Sequence, residues 1–209
     1  IYLVHRPQAV QTVIQFRMPG MAASDPRRVH GDLINVILGG SFTSRLNQNL
    51  REKNGYTYGA RSGFDMGRTA GSIVASSAVK ADVTGAALKE FFHELGRTAG
   101  GDITQDEATK AAKTFRADTV QGFESLSSLL GTYAGLIAAG LPLDTVAADY
   151  AAAERLDAKA LNGETIRLLQ AERGVLVLVG DRDLVTAQLK AMGLPKPIEV
   201  DASGKQIAP

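Results

Sequence analysis

Leu38-Gly39-Gly40-Ser41-Phe42-Thr43-Ser44-Arg45-Leu46-Asn47-Gln48-Asn49-Leu50-Arg51-Glu52-Lys53-Asn54-Gly55-Tyr56-Thr57-Tyr58-Gly59-Ala60 is the stretch on which the reading of this chain turns. Phe42, Leu46 and Leu50 recur every four residues, which predicts a helix burying them as one stripe, capped by Ser41 or Thr43 and running to about Lys53. At 100° per residue, Arg51 lies roughly 140° from the centre of that stripe, so it faces solvent or a cleft near the helix end. Asn54-Gly55 is a turn signal, and Tyr56 opens the next strand. Guanidinium and phenol then share one side of a helix-turn-strand corner. Arg supplies several fixed donors and Tyr one more, a set suited to holding a developing oxyanion. The same residue types also serve plain roles, Arg51 complementing the helix dipole and Tyr56 packing at a strand start.

Outward from this corner the pattern is mixed. Tyr2 to Val4 and Val10 to Phe16 read as extended chain with Pro7 between them. Ser24-Asp25-Pro26 starts a helix carrying Val29, Leu33, Val36 and Ile37, which Gly39-Gly40 interrupts. Tyr56 to Met66 and Ala70 to Val79 form a strand pair about a turn at Gly67 to Thr69, with Ile73, Ala75 and Val79 opposite Ser72 and Ser76. Ala81 to Ala99 is amphipathic, and Thr104 to Glu107 is a capping box. Helices continue to about Gln170 with a break at Gly140-Leu141-Pro142. Val175 to Val179 reads as a buried central strand, followed by a helix over Leu184 to Met192 and an extended piece near Ile198 to Val200. The expectation is one α+β domain over residues 1–209, with a mostly antiparallel sheet and helices mainly on one face.

Composition narrows the function classes. With 44% hydrophobic and 22% charged residues the chain is an ordinary globular one, and its net charge of +1 argues against a nucleic-acid binder. No apolar run is long enough to span a bilayer. There is no cysteine, which removes disulfides, thiolate metal sites and cysteine nucleophiles but selects no compartment. The chain begins at Ile1, which points to a processed protein or a fragment and leaves targeting open.

Zinc chemistry needs three protein ligands in compact geometry. The three histidines, His5, His30 and His93, lie on separate predicted elements, and His93-Glu94 reaches Arg97 where a second ligand would stand. The expectation is therefore no metal on this chain. Gly39-Gly40-Ser41 lacks the Gly-Lys-Ser/Thr ending of a phosphate loop and is better explained as a tight helix-to-helix turn. No glycine fingerprint follows the strand at Val175, so a dinucleotide fold is not expected.

The block from Gly39 to Ala60 closely resembles the C-terminal-half signature of the pitrilysin and mitochondrial processing peptidase family. Weaker similarity extends over Leu3 to Gln11, Asn35 to Gly40, Gly140 to Pro142 and Val175 to Asp181. The resemblance implies half of a clam shell whose other half carries His-x-x-Glu-His and zinc. It implies catalytic roles for Arg51 and Tyr56, with Tyr58 as the rival tyrosine assigned to packing, and substrate contact for Gly39, Gly40, Ser41 and Phe42. The implied partners are a zinc-bearing homologous domain or subunit and a peptide. The chain alone is expected not to cleave peptides. A catalytically inert scaffold of the same fold is the alternative, and His5 has no assigned role.

Overall fold

The computed structural model describes residues 1–207. Strands β1 (Tyr2–His5) and β2 (Gln11–Gly20) lead into helix α1 (Arg28–Asn35), which continues as a π-helical turn, Val36–Gly40. A π-helix, Asn47–Lys53, precedes the hairpin of β3 (Thr57–Met66) and β4 (Gly71–Lys80). Helices α2 (Thr84–Ala99), α3 (Gln105–Gln121), α4 (Leu126–Ala139), α5 (Thr145–Ala153) and α6 (Ala158–Leu168) follow. β5 (Val175–Gly180), α7 (Arg182–Ala191) and β6 (Ile198–Val200) complete the described chain.

The strands make one sheet in the order β3-β4-β2-β5-β1-β6. It is antiparallel from β3 to β5 and parallel where β1 lies between β5 and β6. This is the mostly antiparallel α+β sheet that the sequence pattern implies. Alternation decides its faces: Ile14, Phe16 and Met18 of β2, Ile73, Ala75 and Val79 of β4, and Leu176 and Leu178 of β5 all point into the core. Their neighbours Val13, Gln15 and Arg17 face outward. Among the described residues, helices cover the first face only. The second is open.

That one-sided cover corrects one expectation. β5 is central but not buried throughout, because Val175 is 45% exposed on the open face while Leu176 and Leu178 are sealed. An apolar run marks a central strand here without marking two covered faces.

Punctuation largely follows local chemistry. Thr104 and Glu107 form the capping box of α3 reciprocally. Gly55 and Gly140 adopt positive φ, 61° and 73°, at the turn before β3 and the end of α4. α7 begins earlier than its apolar pattern, because the Asp181 carboxylate accepts the Asp183 and Leu184 amides. His5 gains a structural role at this point, its Nδ1 accepting the Arg182 amide at 3.0 Å.

Candidate functional site

The corner between the π-helix and β3 is built from buried leucines and asparagine amides. Leu46 and Leu50 are sealed in the core, as their spacing requires. Asn49 donates from Nδ2 to Glu90 at 2.9 Å and to Glu94 at 2.6 Å, tying the π-helix to α2. Asn54 N–H reaches back five residues to the Asn49 carbonyl at 3.1 Å, and the Tyr56 amide donates to the Leu50 carbonyl at 2.9 Å. These bonds turn the chain tightly from helix into strand. Arg51 is left partly exposed at the corner, where Nε lies 3.3 Å from Glu52.

Phe42 departs from its expected place. It lies in the turn before the helix, which begins at Arg45, and is 62% exposed instead of completing the buried stripe. The caps expected at Ser41 or Thr43 are likewise displaced, because the Ser44 amide folds back on the Ser41 carbonyl at 3.1 Å. Freed from the stripe, the Phe42 ring lies under the Arg51 guanidinium, 4.5 Å from its carbon to the ring centre.

The two tyrosines are separated by a β-bulge. Thr57 pairs with Val79 and Ala60 with Ser77, so Tyr58 and Gly59 together oppose the single residue Ala78. Three side chains fix the extra residue. Thr57 Oγ1 donates to the Ala78 carbonyl at 2.6 Å, Ser77 Oγ donates to the Gly59 carbonyl at 3.1 Å, and Asn47 Oδ1 accepts the Ala60 amide at 2.9 Å. Asn47 also donates to the Ser41 carbonyl at 3.1 Å, so one buried side chain holds both the bulge and the loop carrying Phe42.

Tyr58 therefore stands out on the open sheet face, 90% exposed, whereas Tyr56 is half-buried and packs against the core. The packing expected of Tyr58 is thus not seen, and Tyr56 is the tyrosine that touches the core. The physical reason is the bulge, for which Gly59 inside a strand pattern was the available signal. Tyr58 lines an open groove of about 540 Å³ together with Val13, Arg61, Ser76 and Ala78.

The glycine loop divides by residue. A Cβ on Gly39 would lie 2.4 Å from the Ser62 amide nitrogen, so this buried glycine lets the helix touch β3. Gly40 is exposed, and Ser41 Oγ donates to the Val36 carbonyl at 3.1 Å, closing the π-helical turn. Of the four residues expected to touch substrate, Phe42 alone presents a large exposed side chain.

Beneath the corner, buried Arg45 bonds Glu107 through Nε and Nη2, each at 2.7 Å, and also pairs with Asp102. Burial opposes the charge of Glu107, but Arg45 and the Thr104 amide hold its carboxyl down at about 2. Across α1, burial and the nearby Asp149 charge push Asp32 up to about 7. Burial also lowers His30, whose Nδ1 is enclosed without a hydrogen-bond partner. Among the described residues no group of three or more His, Cys, Asp or Glu side chains is placed to hold a metal ion. His5 is engaged by α7, His30 lies on α1 and His93 is exposed on α2, so the residues present do not fit a zinc site.

Comparison with known proteins places this geometry in a family. Residues 1–115 match the model described as the peptidase M16 inactive domain. An uncharacterized zinc protease of Streptomyces coelicolor is 32% identical over 113 residues, which is 54% of this chain and 25% of that protein. The matched stretch thus spans about a quarter of that relative. A peptidase M16 inactive domain from Pseudomonas fluorescens superposes with a TM-score of 0.77 at 24% identity, covering 86% of this chain and 43% of that one. An inactive peptidase domain from Bordetella parapertussis superposes with a TM-score of 0.70 at 14% identity, covering 83% of this chain and 94% of that one. Both structural likenesses concern the fold.

Proposed function

Since this chain belongs to the peptidase M16 inactive-domain family, we propose that it is the non-zinc half of a zinc metalloendopeptidase, binding peptide for a site completed by a zinc-bearing half. Zinc and the group that activates water belong to that companion half. The task of this chain is to bind and orient the peptide. The observation that carries the reading is what the two sides of the helix-to-strand turn leave accessible: Arg51, poised on Phe42 and partly exposed, before it, and Tyr58, 90% exposed at the bulge, after it.

Both groups donate and neither accepts a proton in this role. Among the described residues no hydrogen bond occupies the terminal nitrogens of Arg51, whose closest carboxylate is Glu52 at 3.3 Å from Nε. Guanidinium N–H groups and the Tyr58 O–H aimed at the scissile carbonyl oxygen would stabilise the charge that grows there, an effect of about 3–4 kcal/mol per well-placed donor. Tyr56, first in line from the sequence, is better placed to brace the turn, because its half-buried ring packs against the core and its carbonyl accepts the Lys80 amide at 3.0 Å.

The test combines this chain with a zinc-bearing half and follows peptide cleavage. Arg51→Ala and Tyr58→Phe should each lower kcat by about 10²-fold with assembly intact, as loss of an oxyanion donor does. Tyr56→Phe should stay within a few-fold of the parent. Full turnover in the Arg51 and Tyr58 variants would instead make the chain a scaffold.

A further inference from the structure

The groove at Tyr58 contains a charge that the peptide-site reading leaves unused. Arg61 lines the same groove. Ala60 before it is buried, and Ser62 after it turns toward the helices, where its Oγ donates to Asn35 at 2.6 Å. Alternation therefore sends Arg61 to the open face. Three residues of strand put it no more than roughly 10 Å from Tyr58. Gly59 and Gly63 lie two residues to either side, and a Cβ on Gly63 would meet nothing within 4 Å. The guanidinium has free space along its own strand.

Register sorts the charges of the open face. Asp65 opposes Ser72 and Arg17 opposes Val74, which brings that carboxylate and that guanidinium to 3.8 Å near the β3–β4 turn. Asp65 is thus engaged, and it lies four residues beyond Arg61, about 13 Å along the strand. At the groove end, Lys80 opposes Gln11 on the same face. Among the described residues, the charged side chains on the open side of β2, β3 and β4 are Arg17, Arg61, Asp65 and Lys80. Arg17 and Asp65 cancel. Arg61 and Lys80 leave the groove end positive, with no carboxylate to answer it.

We propose that Arg61 selects an acidic side chain in the peptide, within about three residues of the cleaved bond, and so sets the specificity of the groove. This inference rests on the peptide-site reading above. A guanidinium only donates, and its flat fork fits a carboxylate through two parallel hydrogen bonds. The groove floor is aliphatic, with Val13 paired to Ala78 and 41% exposed, which suits the short apolar stem of Glu or Asp. A basic peptide residue would meet like charge and be rejected. A plainer use of an exposed arginine is to keep an edge strand from pairing with another sheet, and β3 is such an edge. That use is served by a charge of either sign. Selection needs a positive one.

The test uses the protein assembled with its zinc-bearing half. The probes are cleaved decapeptides, acetylated and amidated so that their ends are uncharged, with Glu, Gln or Lys placed in turn at each position around the cleaved bond. At one position Glu should exceed Gln in kcat/KM by about two- to five-fold, the yield of an exposed ion pair, and Lys should fall below Gln. Added salt should shrink the gap. Arg61→Glu should reverse the order and Arg61→Gln should erase it, with the circular dichroism of both variants like the parent's. Tyr58→Phe should slow every peptide and keep the order. Fluorescence anisotropy follows binding of the same peptides, so loss of cleavage, which would sink the peptidase reading, still leaves the charge preference to be read. Equal values for Glu, Gln and Lys in cleavage and in binding would overturn the proposal. So would an order that survives Arg61→Glu, peptides that do not bind at all, or a gain from a free C-terminal carboxylate on the Gln peptide where Glu gives none.

Discussion

The Arg51 guanidinium carbon lies 4.5 Å from the centre of the Phe42 ring, although a continuous helix would set these residues about 180° apart. The contact exists because Phe42 precedes the helix and folds back along it. Ring and cation therefore hold each other at the end of the π-helix.

That contact should matter to affinity more than to chemistry. An exposed cation–π pair is worth about 0.5–1 kcal/mol, so Phe42→Ala should raise KM for peptide by about two- to five-fold in the assembled peptidase with little change in kcat. Phe42→Trp should restore it. Steady-state kinetics of the two variants separate this role from a purely structural one.

Asn47 should behave as a buried strut. Its replacement by Ala removes partners from the Ala60 amide and the Ser41 carbonyl together, at a cost of about 1–3 kcal/mol. Urea unfolding should register the loss. Hydrogen exchange at Ala60 should accelerate more than exchange at Leu178, which lies in the middle of the sheet.

Asp32 should make the fold less stable as pH rises. Burial and Asp149 raise its folded pKa to about 7, from 3.8 ordinarily, with Arg28 opposing in part. Between those values the folded chain holds a proton that the unfolded chain releases, so stability falls as pH rises through this window and levels off above 7. Three units correspond to roughly 4 kcal/mol as an upper bound. Asp32→Asn should flatten the pH 4–7 profile of the unfolding free energy, a change read from denaturant titrations.

Glu107 works in the opposite sense. Its pKa is held at about 2 against an ordinary 4.5, so its contribution is complete above 4.5 and vanishes as pH falls through 2. Glu107→Gln should remove part of the acid-sensitive stability. Arg45→Met should cost more, about 3–5 kcal/mol, because it leaves Glu107 and Asp102 without their shared cation. Acid titration of both variants by circular dichroism checks the order.

Local signals in the sequence carried much of this protein. The capping box at Thr104, the turn at Asn54-Gly55 and the break at Gly140 depend on contacts within a few residues, so composition and spacing reveal them. The alternation in β2 and β4 likewise reports which side of each strand meets the core. That Arg51 points off the buried stripe was legible because Leu46 and Leu50 fix the rotation of its helix, and its side chain is partly exposed.

The sequence by itself determined the family, the strand and helix pattern and the place of the corner. Tertiary structure decided which residues the corner presents. Whether Tyr56 or Tyr58 faces the groove depends on one extra residue in β3, and that bulge is held by Asn47 and Ser77 from other elements. A one-residue slip reverses every side chain beyond it. Such long-range hydrogen bonds leave no periodicity in the chain to be read beforehand.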